Sequence, residues 1–270
     1  MQTRNIKLTI EYDGSKYCGW QMQPKRTSIQ KVLETELKKI VNEPVKLVAA
    51  GRTDSGVHAL GQVANFKTTS SIPLKNLIAA VNSVLPQDIV VKNTEEVPES
   101  FNSRRNAKSR IYQYRILNRK IPSAFHNQYS YFYPYPLNLT RMRNAAKYFI
   151  GTHDFTAFNA SPVRKIELTA TKKILNYTDF SNGASPNLVK TSIRTVAKLS
   201  IRRKNDCVLI TIQANGFLHN MVRIIIGTLI DVSRGKLEPE DVQNILNSNQ
   251  RNKAGMTVPP QGLFLIKVIF

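Results

Sequence analysis

The chain has 270 residues, enough for one large domain or two ordinary ones, each with a real core. Its hydrophobic content of 41% excludes a largely disordered chain. Thirty-nine lysines and arginines against 18 acidic residues give a net charge of +21, more than solubility requires. That excess selects a polyanionic partner, nucleic acid ahead of a membrane surface, because no long basic amphipathic helix or lipidation signal is present.

In chain order, the opening MQTRNIKLTIEYDG lacks the apolar core of a signal peptide and reads as a strand over residues 5–12, with Ile6, Leu8 and Ile10 at a spacing of two. No apolar run approaches membrane-spanning length, so the expectation is a cytoplasmic protein with no membrane partner. A polar loop with Gly14, Gly19, Trp20 and Pro24 follows. Ser28 then caps a helix whose Ile29, Val32, Leu33, Leu37, Ile40 and Val41 form one apolar stripe. Apolar runs at 45–50 and 57–66 predict two strands, a second helix is expected over 74–84, and a strand over 89–97. The basic and polar run after Pro98 marks a boundary, which divides the chain into 1–106 and 107–270. Beyond it, strands are expected at 111–117, 191–203, 207–214 and 263–270, and helices at 139–150 and 218–232. The two strands around residue 55 lie too close together for a crossover, so the sheets should be largely antiparallel or mixed: an α+β chain.

Between the strands at 45–50 and 57–66, the connection GRTDSG offers Arg52 and Asp54 two positions apart. On a rigid scaffold such a loop can present guanidinium and carboxylate to one cleft, where an ionised, partly desolvated Asp serves as nucleophile or general base. The same residues also suit a plain polar turn, with Asp54 bonding its own backbone and Gly56 supplying φ > 0. Arg104, Arg105, Lys108, Arg110 and Arg115 surround Tyr112 and Tyr114, and Arg194, Lys198, Arg202, Arg203 and Lys204 mark a later strand. Arg and Lys would hold phosphates and a Tyr could stack on a base; solvated charges and core aromatics are the alternatives. Cys18 and Cys207 lie far apart and are expected as free thiols. His58, His126, His153 and His219 show no ligand spacing, so no metal is expected. The glycines at 14, 19, 51 and 56 make neither a P-loop nor a dinucleotide fingerprint, and no cofactor is expected.

GRTDSGVHA at 51–59 resembles the signature of the TruA family of tRNA pseudouridine synthases. EYDGSKYCGWQ at 11–21, SRIYQYRI at 109–116, GTHDFTAF at 151–158, GFLHNMVR at 216–223 and PPQGLFL at 259–265 match the same family in the same order. The resemblance implies two ferredoxin-like α/β sandwich domains, with mostly antiparallel sheets joined around a central basic cleft. It implies isomerisation of uridine to pseudouridine at positions 38, 39 and 40 of the tRNA anticodon stem-loop, by a homodimer, without a cofactor. Residue by residue, it assigns Asp54 as the catalytic aspartate and Arg52 as the arginine that helps the target base out of the stack. Tyr112 becomes the active-site tyrosine, Arg223 the basic partner of the aspartate, and Leu263 an apolar residue of the uracil pocket. Whether Asp54 would attack ribose C1′ or uracil C6 stays open. Relative to the family's compact pattern, a further block at about 161–190 reads as an inserted arm. A catalytically silent RNA-binding protein would share the charge; a metal-dependent hydrolase or phosphotransferase would need a carboxylate cluster that the sequence does not offer.

Overall fold

The computed structural model describes residues 2–161 and 192–270; the arm expected at about 161–190 lies, apart from Ser161, outside the described residues. The first half runs β1 (Arg4–Tyr12), α1 (Ile29–Val41), β2 (Val48–Ala49), β3 (His58–Thr68), α2 (Leu74–Val84) and β4 (Ile89–Val97). Alternation in β1 turns Ile6, Leu8, Ile10 and Tyr12 into the core. The Ser28 hydroxyl accepts the Lys31 N–H at 3.3 Å to start α1, and Asn42, left-handed at φ 56°, ends it. Between these caps Ile29, Leu33, Leu37 and Val41 are buried, each contributing about 1.5–3 kcal/mol against leaving it exposed.

The second half runs β5 (Ser109–Leu117), β6 (Tyr131–Phe132), α3 (Leu139–Tyr148), β7 (Gly151–Asp154), β8 (Ile193–Lys204), β9 (Cys207–Ala214), α4 (Met221–Ser233), α5 (Asp241–Ser248) and β10 (Leu263–Ile269). Met142, Ala145, Ala146 and Phe149 face inward from α3 and its end, as their spacing predicts. Helix α4 is buried almost all round, with Arg223 in its first turn and Asp231 near its end the partly exposed exceptions.

All these strands join one sheet in the order β4-β1-β3-β10-β5-β9-β8-β7, with β2 added to β3 and β6 to β5. Pairing is antiparallel except at β3/β10 and β5/β6, which confirms a mixed α/β chain with a mostly antiparallel sheet. The last strand is the joint. Phe264 and Leu265 of β10 pair with His58 and Ala59 of β3, while Leu263 and Leu265 oppose Tyr114 and Tyr112 of β5.

Two sequence expectations are corrected. The strand expected at 45–50 shrinks to Val48–Ala49, because the carbonyls of Ala50 and Gly51 accept from the side chains of Arg110 and Gln62 and not from a neighbouring strand. Helix α4 starts at Met221 and not at residue 218, since Asn220 takes a left-handed φ of 58° that no helix continues through. The short elements α5, β6 and β7 were not anticipated; β6 and β7 exist through pairing with β5 and β8.

Candidate active site

The GRTDSG loop between β2 and β3 is fixed from several sides. Its Thr53 hydroxyl shares a 2.7 Å hydrogen bond with the Tyr12 hydroxyl, and its Thr53 carbonyl accepts the Trp20 N–H at 3.0 Å. The backbone of the 13–27 loop must therefore lie directly on the signature. Gly19 makes this possible, with φ +102° and with the Thr53 carbonyl only 2.5 Å from where a Cβ would sit. At the loop's entrance the Arg110 guanidinium donates to the Ala50 carbonyl from Nε (3.2 Å) and Nη2 (2.6 Å), and Gln62 donates to the Gly51 carbonyl at 2.8 Å. At its exit Val57 N–H returns to the Asp54 carbonyl at 3.1 Å. The turn reading of Asp54 thus holds for its backbone, while its side chain is left to face a cleft.

That cleft has a volume of about 940 Å³ and is walled by both halves of the chain: Trp20 and residues 46–54 on one side, Tyr112, Leu263 and residues 216–222 on the other. Lys46, Arg52, Arg104, Arg110 and Arg194 line it, and Asp54 is the carboxylate among its described lining residues. Tyr112 is buried beneath an edge-on contact with Phe217, ring centroids 5.1 Å apart, and Leu263 is buried nearby. Burial pushes the Tyr112 phenol well above its ordinary range, and the charge of Asp54 pushes the same way, so the ring enters the cleft as a neutral phenol.

A smaller cavity of about 360 Å³ adjoins the same carboxylate and is lined by Cys18, Arg26, Arg52, Asp54, His219 and Arg223 among others. Arg52 is exposed and borders both cavities. Among the described residues, the basic group within 4.0 Å of the Asp54 carboxylate is neither Arg52 nor Arg223 but His219, with Nε2 3.9 Å from Oδ1. Arg223 donates from Nε to the Val258 carbonyl and from Nη1 to the Asn220 side chain, both at 2.7 Å. Burial lowers the pKa of its guanidinium, and Asp54 acts against that shift, so the two groups sense each other without touching.

The structure thus brings Asp54, Arg52, Tyr112, Arg223 and Leu263 to one place. It also adds His219, whose role spacing did not suggest although it lies in the GFLHNMVR stretch four residues before Arg223. His58, inside the signature, is elsewhere. It is buried, stacked on Phe264 at 4.7 Å, and its Nδ1 lies 3.1 Å from Asp13. Two of the basic residues that the sequence left as phosphate holders or solvated charges are engaged within the protein. Arg110 serves carbonyls of Ala50, Arg104, Ala107 and Asn215, and Arg115 lies 3.8 Å over the Phe264 ring. Both are partly buried, and protein groups hold their guanidiniums in place. Cys18 and Cys207 are free thiols, and no three His, Cys, Asp or Glu side chains gather to hold a metal among the described residues. No helix among them is long and apolar enough to cross a membrane.

Against known proteins, a family model described as tRNA pseudouridine synthase matches residues 8–104 and 175–270. A protein of Thermoanaerobacter sp. (strain X514), named tRNA pseudouridine synthase A, is 48% identical over 268 residues, 99% of this chain and 100% of the relative. One of Caldicellulosiruptor bescii with the same name is 44% identical over 267 residues, and one of Clostridium perfringens, named tRNA pseudouridine synthase A 2, is 45% identical over 267; both alignments cover 99% of this chain and 100% of the relative.

Proposed function

Because the chain belongs to the TruA family of tRNA pseudouridine synthases, isomerases that act on tRNA, we propose that it converts uridine to pseudouridine at positions 38, 39 and 40 of the anticodon stem-loop, with Asp54 as nucleophile and no cofactor. The observation that carries this reading is the placement of one carboxylate, Asp54, on a clamped loop in a cation-lined cleft.

A uridine in a stem-loop must leave its stack before any side chain reaches its glycosidic bond, at a cost of about a few kcal/mol. Arg52, exposed at the edge of both cavities, is positioned to hold the strand as the base leaves. The extruded uracil then meets Tyr112 and Leu263 on the cleft wall, while Asp54 attacks ribose C1′ or uracil C6, or assists departure of the base. The freed uracil turns and rejoins through C5. Arg223, held by Val258 and Asn220, steadies the charge of Asp54 from the other half of the chain. In this reading residues 1–106 and 107–270 are two ferredoxin-like domains meeting at β10, the arm at about 161–190 is an insertion, and a cytoplasmic homodimer grips one tRNA. The dimer doubles the basic face available to a large polyanion, and light scattering that shows a monomer at working concentration counts against it.

Incubation of the purified protein with unmodified tRNA, followed by mapping of pseudouridine, tests the reading. The wild type should modify positions 38–40. Asp54→Ala should form none while changing tRNA affinity by less than about tenfold, roughly 1.4 kcal/mol, because phosphate contacts dominate binding. A comparable rate in Asp54→Ala would sink the assignment.

A further inference from the structure

His219 is tethered at one ring nitrogen and aimed with the other. Its Nδ1 lies 2.9 Å from the Ser161 hydroxyl, and its backbone carbonyl accepts the Ala160 N–H at 3.1 Å. Its Nε2 faces Asp54 Oδ1 at 3.9 Å, an approach of about 1 Å short of a hydrogen bond. The ring is half exposed, at 49%, so it touches solvent on one side and the carboxylate on the other. Histidine is also the side chain whose charge changes between about pH 5 and 8, which suits it to pass protons.

The reaction proposed above leaves one proton unaccounted for. Once C5 has bonded to C1′, it carries both the sugar and its original hydrogen. That C–H bond must break: its electron pair closes the C5=C6 bond, the C6=N1 pair moves onto N1, and N1 takes a proton from solvent. One proton leaves C5 and one arrives at N1, so the sum is an isomerisation with no co-reactant. Burial favours the neutral phenol of Tyr112, and arginines carry permanent protons, so Asp54 is the charged acceptor among the described residues lining the cleft. On the routes in which Asp54 attacks C1′ or assists departure of the base, it stands as a free carboxylate once the new carbon–carbon bond has formed and can take the leaving proton.

We propose that His219 is the relay that takes this proton from Asp54 through Nε2 and releases it to solvent, returning the carboxylate to its ionised state for the next turnover. The inference rests on the pseudouridine-forming reading of the cleft. His219 works through Asp54 and so is a positioning residue, not one that touches the uridine. The relay uses the tautomer in which the Ser161 hydroxyl accepts an Nδ1–H across the 2.9 Å contact, so that the Nε2 lone pair is turned toward the carboxylate. The charged and titratable groups that line the two cavities with it are Asp54, Arg52, Lys46, Arg104, Arg110, Tyr112 and Arg194 around the larger, and Cys18, Arg26 and Arg223 around the smaller.

The test uses the full-length protein, tRNA transcripts with either ordinary or 5-deuterated uridine, and the variants His219→Gln and Ser161→Ala. His219→Gln should lower kcat by about ten- to hundredfold with KM for tRNA within about twofold. A deuterium isotope effect absent from the wild type should appear, and added imidazole should restore part of the rate. Ser161→Ala should show a weaker form of the same changes, and it decides the matter if His219→Gln fails to fold. A kcat within about threefold of wild type, or a loss with no isotope effect and no rescue, overturns the relay. If the wild type itself forms no pseudouridine, the reading of the cleft fails; if only the His219 and Ser161 variants behave as wild type, the relay alone fails.

Discussion

Replacing Arg110 separates a structural arginine from a phosphate ligand. Its guanidinium makes two short bonds, 2.6 Å to the Ala50 carbonyl and 2.7 Å to the Asn215 carbonyl, and three longer ones at 3.2–3.3 Å to Ala50, Ala107 and Arg104. A hydrogen bond from a charged donor is worth about 1.5–3 kcal/mol, so the two short ones sum to roughly 3–6. Water can reach part of this half-buried site, which brings the expected loss in Arg110→Met to about 3 kcal/mol. For a chain of this size that lowers Tm by roughly 6–10 °C. The Ala50 carbonyl is the entrance of the Asp54 loop, so turnover should also fall about ten- to hundredfold through misplacement of the carboxylate. Thermal unfolding, tRNA binding against salt, and pseudouridine formation would be measured on the same preparation. If Arg110 instead neutralises a phosphate, Tm should stay within about 2 °C while the log–log salt slope of tRNA binding drops by about 1. That pair of results would refute the structural assignment.

The two glycines of the signature should respond in opposite directions. Gly51→Ala meets nothing within 4 Å and should be neutral or stabilising by up to about 1 kcal/mol, whereas Gly56→Ala, at φ +75° and with Cβ 2.9 Å from Pro260, should cost about 1–3 kcal/mol in urea unfolding. Burial lowers the pKa of His58 in the folded protein, although Asp13 opposes the shift, so the unfolded chain takes up the proton first as pH falls. His58 should therefore leave stability untouched above about pH 6.5 and reduce it below, toward its lower folded value; His58→Gln should flatten urea midpoints between about pH 7.5 and 5.5. Affinity for tRNA should fall about tenfold or more between about 50 and 200 mM salt, and a flat response would remove the electrostatic basis of binding.

Much of this molecule is written locally. The stripe from Ile29 to Val41 between Ser28 and Asn42 fixes α1, alternation fixes β1, β5 and β9, and a left-handed Asn220 is within reach of its residue type if not of its apolar neighbours. These features depend on residues a few positions apart, whose geometry the backbone itself sets. The basic excess and the quoted stretches pointed to the family for a similar reason: each is a property of composition or of a short run. Only the tertiary structure decided that β10 lies between β3 and β5 and so seats Leu263 and Tyr112 across from the Asp54 loop. It decided that Arg110, which the sequence left as either a phosphate holder or a solvated charge, binds the Ala50 carbonyl sixty positions away, and that His219 stands nearer to Asp54 than Arg52 or Arg223 does. Whether an arginine faces solvent or a carbonyl, and which cation is closest to a carboxylate, depends on distances between segments remote in sequence. Those distances are set by packing of the whole sheet, and no local pattern encodes them.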